Sequence, residues 1–203
     1  MDRAIPFMRA AVQKDQPFFT IVWFHTPHLP VVAGPQYTRM YASYEKYAQH
    51  YYGCITAMDE QIGRLRTELR AMGVAQNTLV AFCSDNGPEG QANNAPGMAG
   101  HLSGRKRSLL EGGIRVPGLI EWPGQVRPGN TIIPAVTSDY LPTILDIIGV
   151  KPTNNRPLDG VSLLPLFQGK MMERGRPIGF QSAGQVAWIG DRYKIYGKGS
   201  KKD

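Results

Sequence analysis

The spacing of apolar residues changes several times along the chain, and each change marks an element. Between residues 2 and 14, Ile5, Phe7, Met8 and Val12 are interleaved with charged positions, which predicts a short helix. Phe18-Phe19-Thr20-Ile21-Val22-Trp23-Phe24 is then an unbroken run rich in β-branched and aromatic residues. That run predicts a buried strand of a parallel sheet. Pro27 and Pro30 follow at once and forbid regular structure across His25–Pro30. From Tyr44 to Met72 apolar residues recur at intervals of three and four, through Tyr47, Tyr51, Cys54, Ile55, Met58, Ile62, Leu65 and Leu69. This predicts the clearest helix of the chain, closed by Gly73, where a left-handed cap is wanted. Leu79-Val80-Ala81-Phe82-Cys83 reads as a second buried strand.

A strand, a long helix and a strand form a βαβ unit, so the two strands are expected to run parallel. The loops after them, His25–Pro30 and Ser84–Gly90, then meet at one sheet edge, where open α/β sheets bind ligands. Residues 88–104 are rich in Gly, Asn and Ala and read as irregular. Val116–Trp122 predicts another strand. A helix is expected from a Ser138 cap to Ile148, with Pro142 tolerated near its first turn and Gly149 closing it. Val186–Ile189 and Tyr193–Tyr196 flank Gly190-Asp191 and predict a hairpin of short antiparallel strands. The expected organisation is one main domain over 1–178 and the start of a small C-terminal subdomain over 179–203. No internal repeat is visible.

With 203 residues, 42% hydrophobic and 19% charged, the chain has the composition of a globular protein rather than a disordered one. The net charge of +7 raises the question of nucleic acid. Its placement argues against that reading. The basic residues cluster at Arg105–Arg107, at Arg174 and Arg176, and from Lys194 to Lys202, with no interleaved stacking aromatics and no Cys/His finger spacing. An anionic small substrate suits the charge equally well. Cys54 and Cys83 are the only cysteines, each inside an apolar segment, so a disulfide framework is excluded and buried free thiols are expected. No apolar run approaches the ~18 residues of a membrane helix. Met1-Asp2-Arg3 opens no signal-peptide core.

Asp85-Asn86-Gly87, at the end of a buried strand, offers two adjacent oxygen donors of the kind a hard divalent cation prefers. The same tripeptide also serves as a simple Asx turn. His28 lies on a proline-braced loop, as a positioned donor would, or as a structural histidine. Lys106, between Arg105 and Arg107 and ahead of Glu111-Gly112-Gly113, either neutralises a tetrahedral anion or belongs to a solvated basic loop.

Taken together these segments resemble the type I, formylglycine-dependent sulfatases of the alkaline phosphatase superfamily. The matching stretches, in order, are Pro17–Pro30, Tyr51–Asp59, Ser84-Asp85-Asn86-Gly87-Pro88-Glu89, Gly104–Pro117 with its Glu111-Gly112-Gly113, Trp122-Pro123-Gly124, and Asp159–Leu163. The resemblance runs from about residue 5 to residue 196. It implies an α/β fold: part of an alkaline-phosphatase-like three-layer sandwich with a mostly parallel sheet, plus a small C-terminal antiparallel subdomain.

The resemblance also implies roles. Asp85 and Asn86 correspond to two ligands of an active-site Ca²⁺. Lys106 corresponds to the lysine that contacts the substrate sulfate, and His28 to the histidine that hydrogen-bonds the sulfate or the leaving-group oxygen. His25 and His101 are second-tier candidates without a firm counterpart. The implied substrate is a sulfated small molecule or a sulfated glycan. The family's paired N-terminal aspartates and its Cys-x-Pro-x-Arg or Ser-x-Pro-x-Arg motif, which supplies the formylglycine, do not occur in this sequence. The expectation is therefore a C-terminal portion with a half-complete metal site that is inactive by itself. A phosphate-ester or phosphonate hydrolase of the same superfamily, or a non-catalytic anion-binding remnant, remain the alternatives.

Overall fold

The computed structural model describes residues 1–90, 97–152 and 156–199, so part of the expected irregular region, 91–96, lies outside the described residues. The chain divides into two compact units. One holds Met1–Leu79 with Gly97 and Met98; the other holds Val80–Gly90 and the described residues from Ala99 onward.

In the first unit, α1 spans Ala4–Gln13 and buries Ile5, Met8 and Ala11. A short α2, Pro35–Thr38, precedes the long α3, Lys46–Ala71. The carboxylate of Glu45 caps α3 by accepting the amides of Tyr47 and Ala48 at 2.8 and 2.6 Å. At its other end Gly73 takes φ +74°, Gly73 N donates to Arg70 O and Val74 N donates to Leu69 O. These paired bonds close the last turn as the glycine in the sequence predicts. Arg9 pairs with Glu68 and so ties α1 to α3.

Residues 18–24 form no helix and belong to no ladder among the described residues. They are also not buried on both faces. Phe18, Thr20, Val22 and Phe24 are half-buried, whereas Phe19, Ile21 and Trp23 are exposed, Trp23 at 89%. The period of two is that of a strand packed on one side. An unbroken apolar run carries no marker of which alternate residues face inward, which is why the sequence reads as doubly buried.

The second unit begins with β1, Val80–Cys83, which pairs antiparallel with β2, Gly118–Glu121, in the register Val80↔Glu121 to Cys83↔Gly118. Residues 18–24 enter neither of the two sheets seen among the described residues, and both of those sheets are antiparallel. The strand from 116 to 122 and the hairpin near the C-terminus are present. The latter is a three-stranded sheet of β3 (Ile178–Ser182), β4 (Gln185–Ile189) and β5 (Lys194–Lys198) in that order. Ala183 and Gly184, both at positive φ, make the two-residue turn between β3 and β4.

The helix α4 (Glu111–Ile114) lies in sequence between β1 and β2, and α5 (Tyr140–Ile147) and α6 (Leu164–Phe167) lie between the two sheets. Ser138 does not cap α5. A 3-10 turn, Thr137–Asp139, leads into the helix, and the Asp139 carboxylate accepts the amide of Val136 at 2.8 Å. A carboxylate accepts more strongly than a hydroxyl, and Asp139 is wholly buried. Burial pushes the Tyr140 hydroxyl well above the ordinary tyrosine range, and a hydrogen bond with Cys83 adds to it, which anchors the start of α5 beside the end of β1. Both cysteines are free; Cys54 is buried, but Cys83 is only partly so.

Candidate functional site

The polypeptide leaves β1 at Cys83 into Ser84-Asp85-Asn86-Gly87. The Ser84 hydroxyl donates to Asn86 O at 3.0 Å, and Asn86 Nδ2 donates to Gly87 O at 2.9 Å. A carbonyl can only accept, so the amide nitrogen of Asn86 is fixed on that side and its oxygen remains to bind elsewhere. The Asp85 carboxylate is exposed. One carboxylate oxygen donor and one amide oxygen donor thus stand next to each other at a strand end, a set suited to a hard cation. Among the described residues no group of three or more His, Cys, Asp or Glu side chains that could hold a metal ion gathers.

This loop is stitched to the one that carries Lys106. Gly87 N donates to Gly113 O at 2.8 Å, and Lys106 N donates to Pro88 O at 3.1 Å. The contact is backbone against backbone: a Cβ on Gly87 would lie 1.8 Å from Gly112 O. Only glycine allows that approach, which gives Asp85-Asn86-Gly87 and Glu111-Gly112-Gly113 a common structural purpose. The structure therefore brings Asp85, Asn86 and Lys106 onto adjoining loops.

The Lys106 side chain is 23% exposed, and its Nζ lies 3.4 Å from Glu89 Oε2. Glu89 also accepts from Arg107 Nη1. The Arg107 hydrogen bond, with help from the Gly90 amide, holds the Glu89 carboxyl down to about 2. Arg107 itself has φ +73°, a left-handed backbone that an arginine adopts only when its surroundings hold it.

His28 stands in the other unit, on the loop after the apolar run 18–24. Its Nδ1 donates to Leu29 O at 2.9 Å, and its amide donates to His25 O at 2.9 Å. The Nδ1–H bond leaves Nε2 of a neutral ring as the acceptor. His25 donates from Nε2 to the same carbonyl at 2.9 Å and meets the His28 ring edge-on at 5.4 Å between centroids. This makes His25 a partner in orienting His28. The loop is moored to α3: Ala33 N donates to His50 Nδ1 at 3.1 Å, and Cys54, its thiol pushed up by burial, bonds with Thr26 and Val32. His101 lies in the second unit, in an open cleft of about 360 Å³ lined also by Ser103, Leu110, Glu111, Lys194 and Tyr196.

Sequence reasoning missed Glu89 as the counterion of Lys106, although it closes the Ser84–Glu89 motif. It also missed Gln185 and Lys194. Gln185 Nε2 donates to Arg107 O and its Oε1 accepts from Leu109 N; Lys194 Nζ binds Leu109 O and Glu111. Nothing in local sequence signals a contact between residues some eighty positions apart, and Lys194 reads there as one more basic residue of the tail.

Residues 1–150 match the Sulfatase family. Human arylsulfatase A is 35% identical over 163 residues, which are 80% of this chain and 31% of that protein. N-acetylgalactosamine-6-sulfatase of Rattus norvegicus is 29% identical over 182 residues, 86% of this chain and 33% of its own. The crystal structure of Ps i-CgsB aligns with a TM-score of 0.86 at 30% identity, over 96% of this chain and 44% of that one. The expected α/β class stands on this likeness, with the C-terminal antiparallel sheet included. The chain spans about a third of the length of the curated relatives it matches. It belongs to the sulfatase family.

Proposed function

We propose that this chain supplies the sulfate-binding side and part of the metal-binding side of an active site that hydrolyses sulfate esters. The observation that carries the proposal is the joining of two loops through Gly87 N to Gly113 O and Lys106 N to Pro88 O. It places the oxygen donors Asp85 and Asn86 and the cation Lys106 on one continuous backbone framework, in a chain of the sulfatase family. Its named relatives do not favour the phosphate-ester alternative.

In this reading Asp85 and Asn86 hold Ca²⁺, which when bound polarises a sulfate oxygen. Lys106 offsets the negative charge that builds on the sulfate oxygens in the transition state. His28, its Nδ1–H committed to Leu29 O, uses Nε2 to hydrogen-bond the sulfate or the leaving-group oxygen. The formylglycine nucleophile comes from a Cys/Ser-x-Pro-x-Arg motif outside these 203 residues. The substrate class is a sulfated small molecule or a sulfated glycan. Residues 1–178 act as part of the catalytic domain and 179–203 begin a small subdomain.

The test is a titration of the 203-residue chain with sodium sulfate, followed by nuclear magnetic resonance. Wild type is expected to bind, and Lys106→Ala to weaken binding by about tenfold or more, the effect of losing a charge-assisted contact. Equal binding by the two proteins would overturn the assignment of Lys106.

A further inference from the structure

The loop that carries Lys106 is held from two sides. On one side Lys106 N bonds to Pro88 O. On the other, the C-terminal sheet reaches over it with side chains from β4 and β5. Gln185 is buried, donates through Nε2 to Arg107 O at 2.8 Å, and accepts Leu109 N at 3.1 Å. Tyr196 OH donates to the same Gln185 oxygen at 3.1 Å and fixes the amide's orientation. Lys194 donates to Leu109 O at 2.6 Å and to Glu111 Oε1 at 2.8 Å, with its side chain 19% exposed.

These contacts fall on the residues that flank Lys106 on its C-terminal side. They include the carbonyl of Arg107, whose left-handed backbone is the strained point of the loop. Strain of that kind persists only where the surroundings over-determine it. The Gln185 amide is the group that grips the strained residue, and Lys194 secures the next turn.

We infer that Gln185 and Lys194 are positioning residues that set the place of the Lys106 ammonium, so that the C-terminal sheet acts on the anion site it does not itself touch. The inference rests on the reading of Lys106 as the sulfate-binding lysine. Gln185 and Lys194 hold the backbone on either side of Leu109. Arg107 and Lys106 then have one backbone arrangement in which to present their side chains.

The experiment compares wild type, Lys194→Met, Lys194→Arg, Gln185→Glu and Lys106→Ala in the full chain. Two quantities are measured for each: sulfate affinity, and amide hydrogen exchange at Lys106, Gly112 and Val161. The amides of Lys106 and Gly112 bond within the loop framework, to Pro88 O and Ser103 O, whereas Val161 N bonds to the distant Asp139. Lys194→Met is expected to weaken sulfate several-fold and to speed exchange at Lys106 and Gly112 while leaving Val161 unchanged. Lys194→Arg, which keeps the charge and donors, is expected to restore both. Gln185→Glu, which turns the donor facing Arg107 O into an acceptor, should reproduce the loss, and it carries the test if Lys194→Met does not fold. Wild-type exchange at Lys106 in both Lys194→Met and Gln185→Glu would overturn the inference, as would faster exchange at all three amides. If Lys106→Ala leaves sulfate affinity unchanged, it is the sulfate-site reading that fails, and the exchange data still judge the positioning.

Discussion

Arg174 and Asp139 meet through two parallel hydrogen bonds, Nη1 to Oδ2 at 2.6 Å and Nη2 to Oδ1 at 2.7 Å, with side chains 2% and 0% exposed. The same carboxylate accepts Val136 N and Val161 N, so it gathers the start of α5 and the segment before α6 around one buried charge. Arg174 Nε donates in turn to Arg176 O, at the entrance to β3. Removal of either partner leaves the other charge buried without its counterion. Asp139→Ala is therefore expected to destabilise the protein by about 3–5 kcal/mol, a large share of the ~5–15 kcal/mol of a typical domain. Urea unfolding followed by circular dichroism checks this. A loss below about 1 kcal/mol would mean the pair is not the keystone its geometry implies.

The glycines give a paired prediction with opposite signs. A Cβ on Gly87 would sit 1.8 Å from Gly112 O and 3.1 Å from Gly113 Cα, both backbone atoms that cannot swing aside. Gly87→Ala must separate the two site loops, so it should cost about 1–3 kcal/mol, the range for overpacking, and should also abolish sulfate binding. Gly63, exposed in the interior of α3, has nothing within 4 Å of a built Cβ. Gly63→Ala should stabilise by about 0.5–1 kcal/mol, since alanine loses less backbone freedom on helix formation. Thermal unfolding midpoints of the two variants should move in opposite directions.

What the sequence discloses and what it hides follow one physical division. The helix α3 is legible because its period repeats over many turns and its end is marked by Gly73, a local requirement for positive φ. Asp85-Asn86-Gly87 and Glu111-Gly112-Gly113 are legible as motifs because several special residues stand together. The partner of β1 is not legible, since a four-residue apolar run says nothing about which strand its amides will meet, and the answer lies near residue 120. The exposed faces of Phe19, Ile21 and Trp23 are hidden for a related reason: apolar residues on both faces erase the alternation that reports burial. Charges are the hardest to read. Arg174, Lys194 and Arg107 count equally toward a net positive charge, yet one is sealed in the core, one clamps a loop and one lies on the surface.

The motif content sets an expectation for catalysis and metal binding. Asp85 and Asn86 offer oxygens from two side chains, and a Ca²⁺ ion takes about 6–8, so water must fill most of the shell. Calorimetric titration of the 203-residue chain is expected to give Ca²⁺ binding no tighter than about millimolar, the range of weak sites. The same chain is expected to release no nitrophenol from nitrophenyl sulfate, with or without Ca²⁺, because it carries no Cys/Ser-x-Pro-x-Arg nucleophile. Tight stoichiometric binding would show that other groups complete the metal site. Metal-dependent turnover would show that another nucleophile serves.

Glu89 supplies a pH signature that reports on the Lys106 loop. Arg107, the Gly90 amide and Lys106 all favour its charged form, and its carboxyl is held down to about 2 from an ordinary 4.5. A group whose folded value is depressed stabilises the fold above its unfolded value and loses that contribution as pH falls through the folded one. The stabilising effect of Glu89 should thus be complete above about pH 4.5 and gone near pH 2, the two values that bound its titration. Glu89→Gln keeps the shape but cannot titrate. Urea midpoints of wild type and Glu89→Gln, measured in steps from pH 6 to pH 2, should therefore differ by a constant amount down to about 4.5 and converge below it. Because the pair is exposed, the difference should also shrink in high salt. Parallel curves over the whole acid range would mean that Arg107 and Lys106 do not hold the Glu89 carboxylate, and that the backbone bonds alone order the loop.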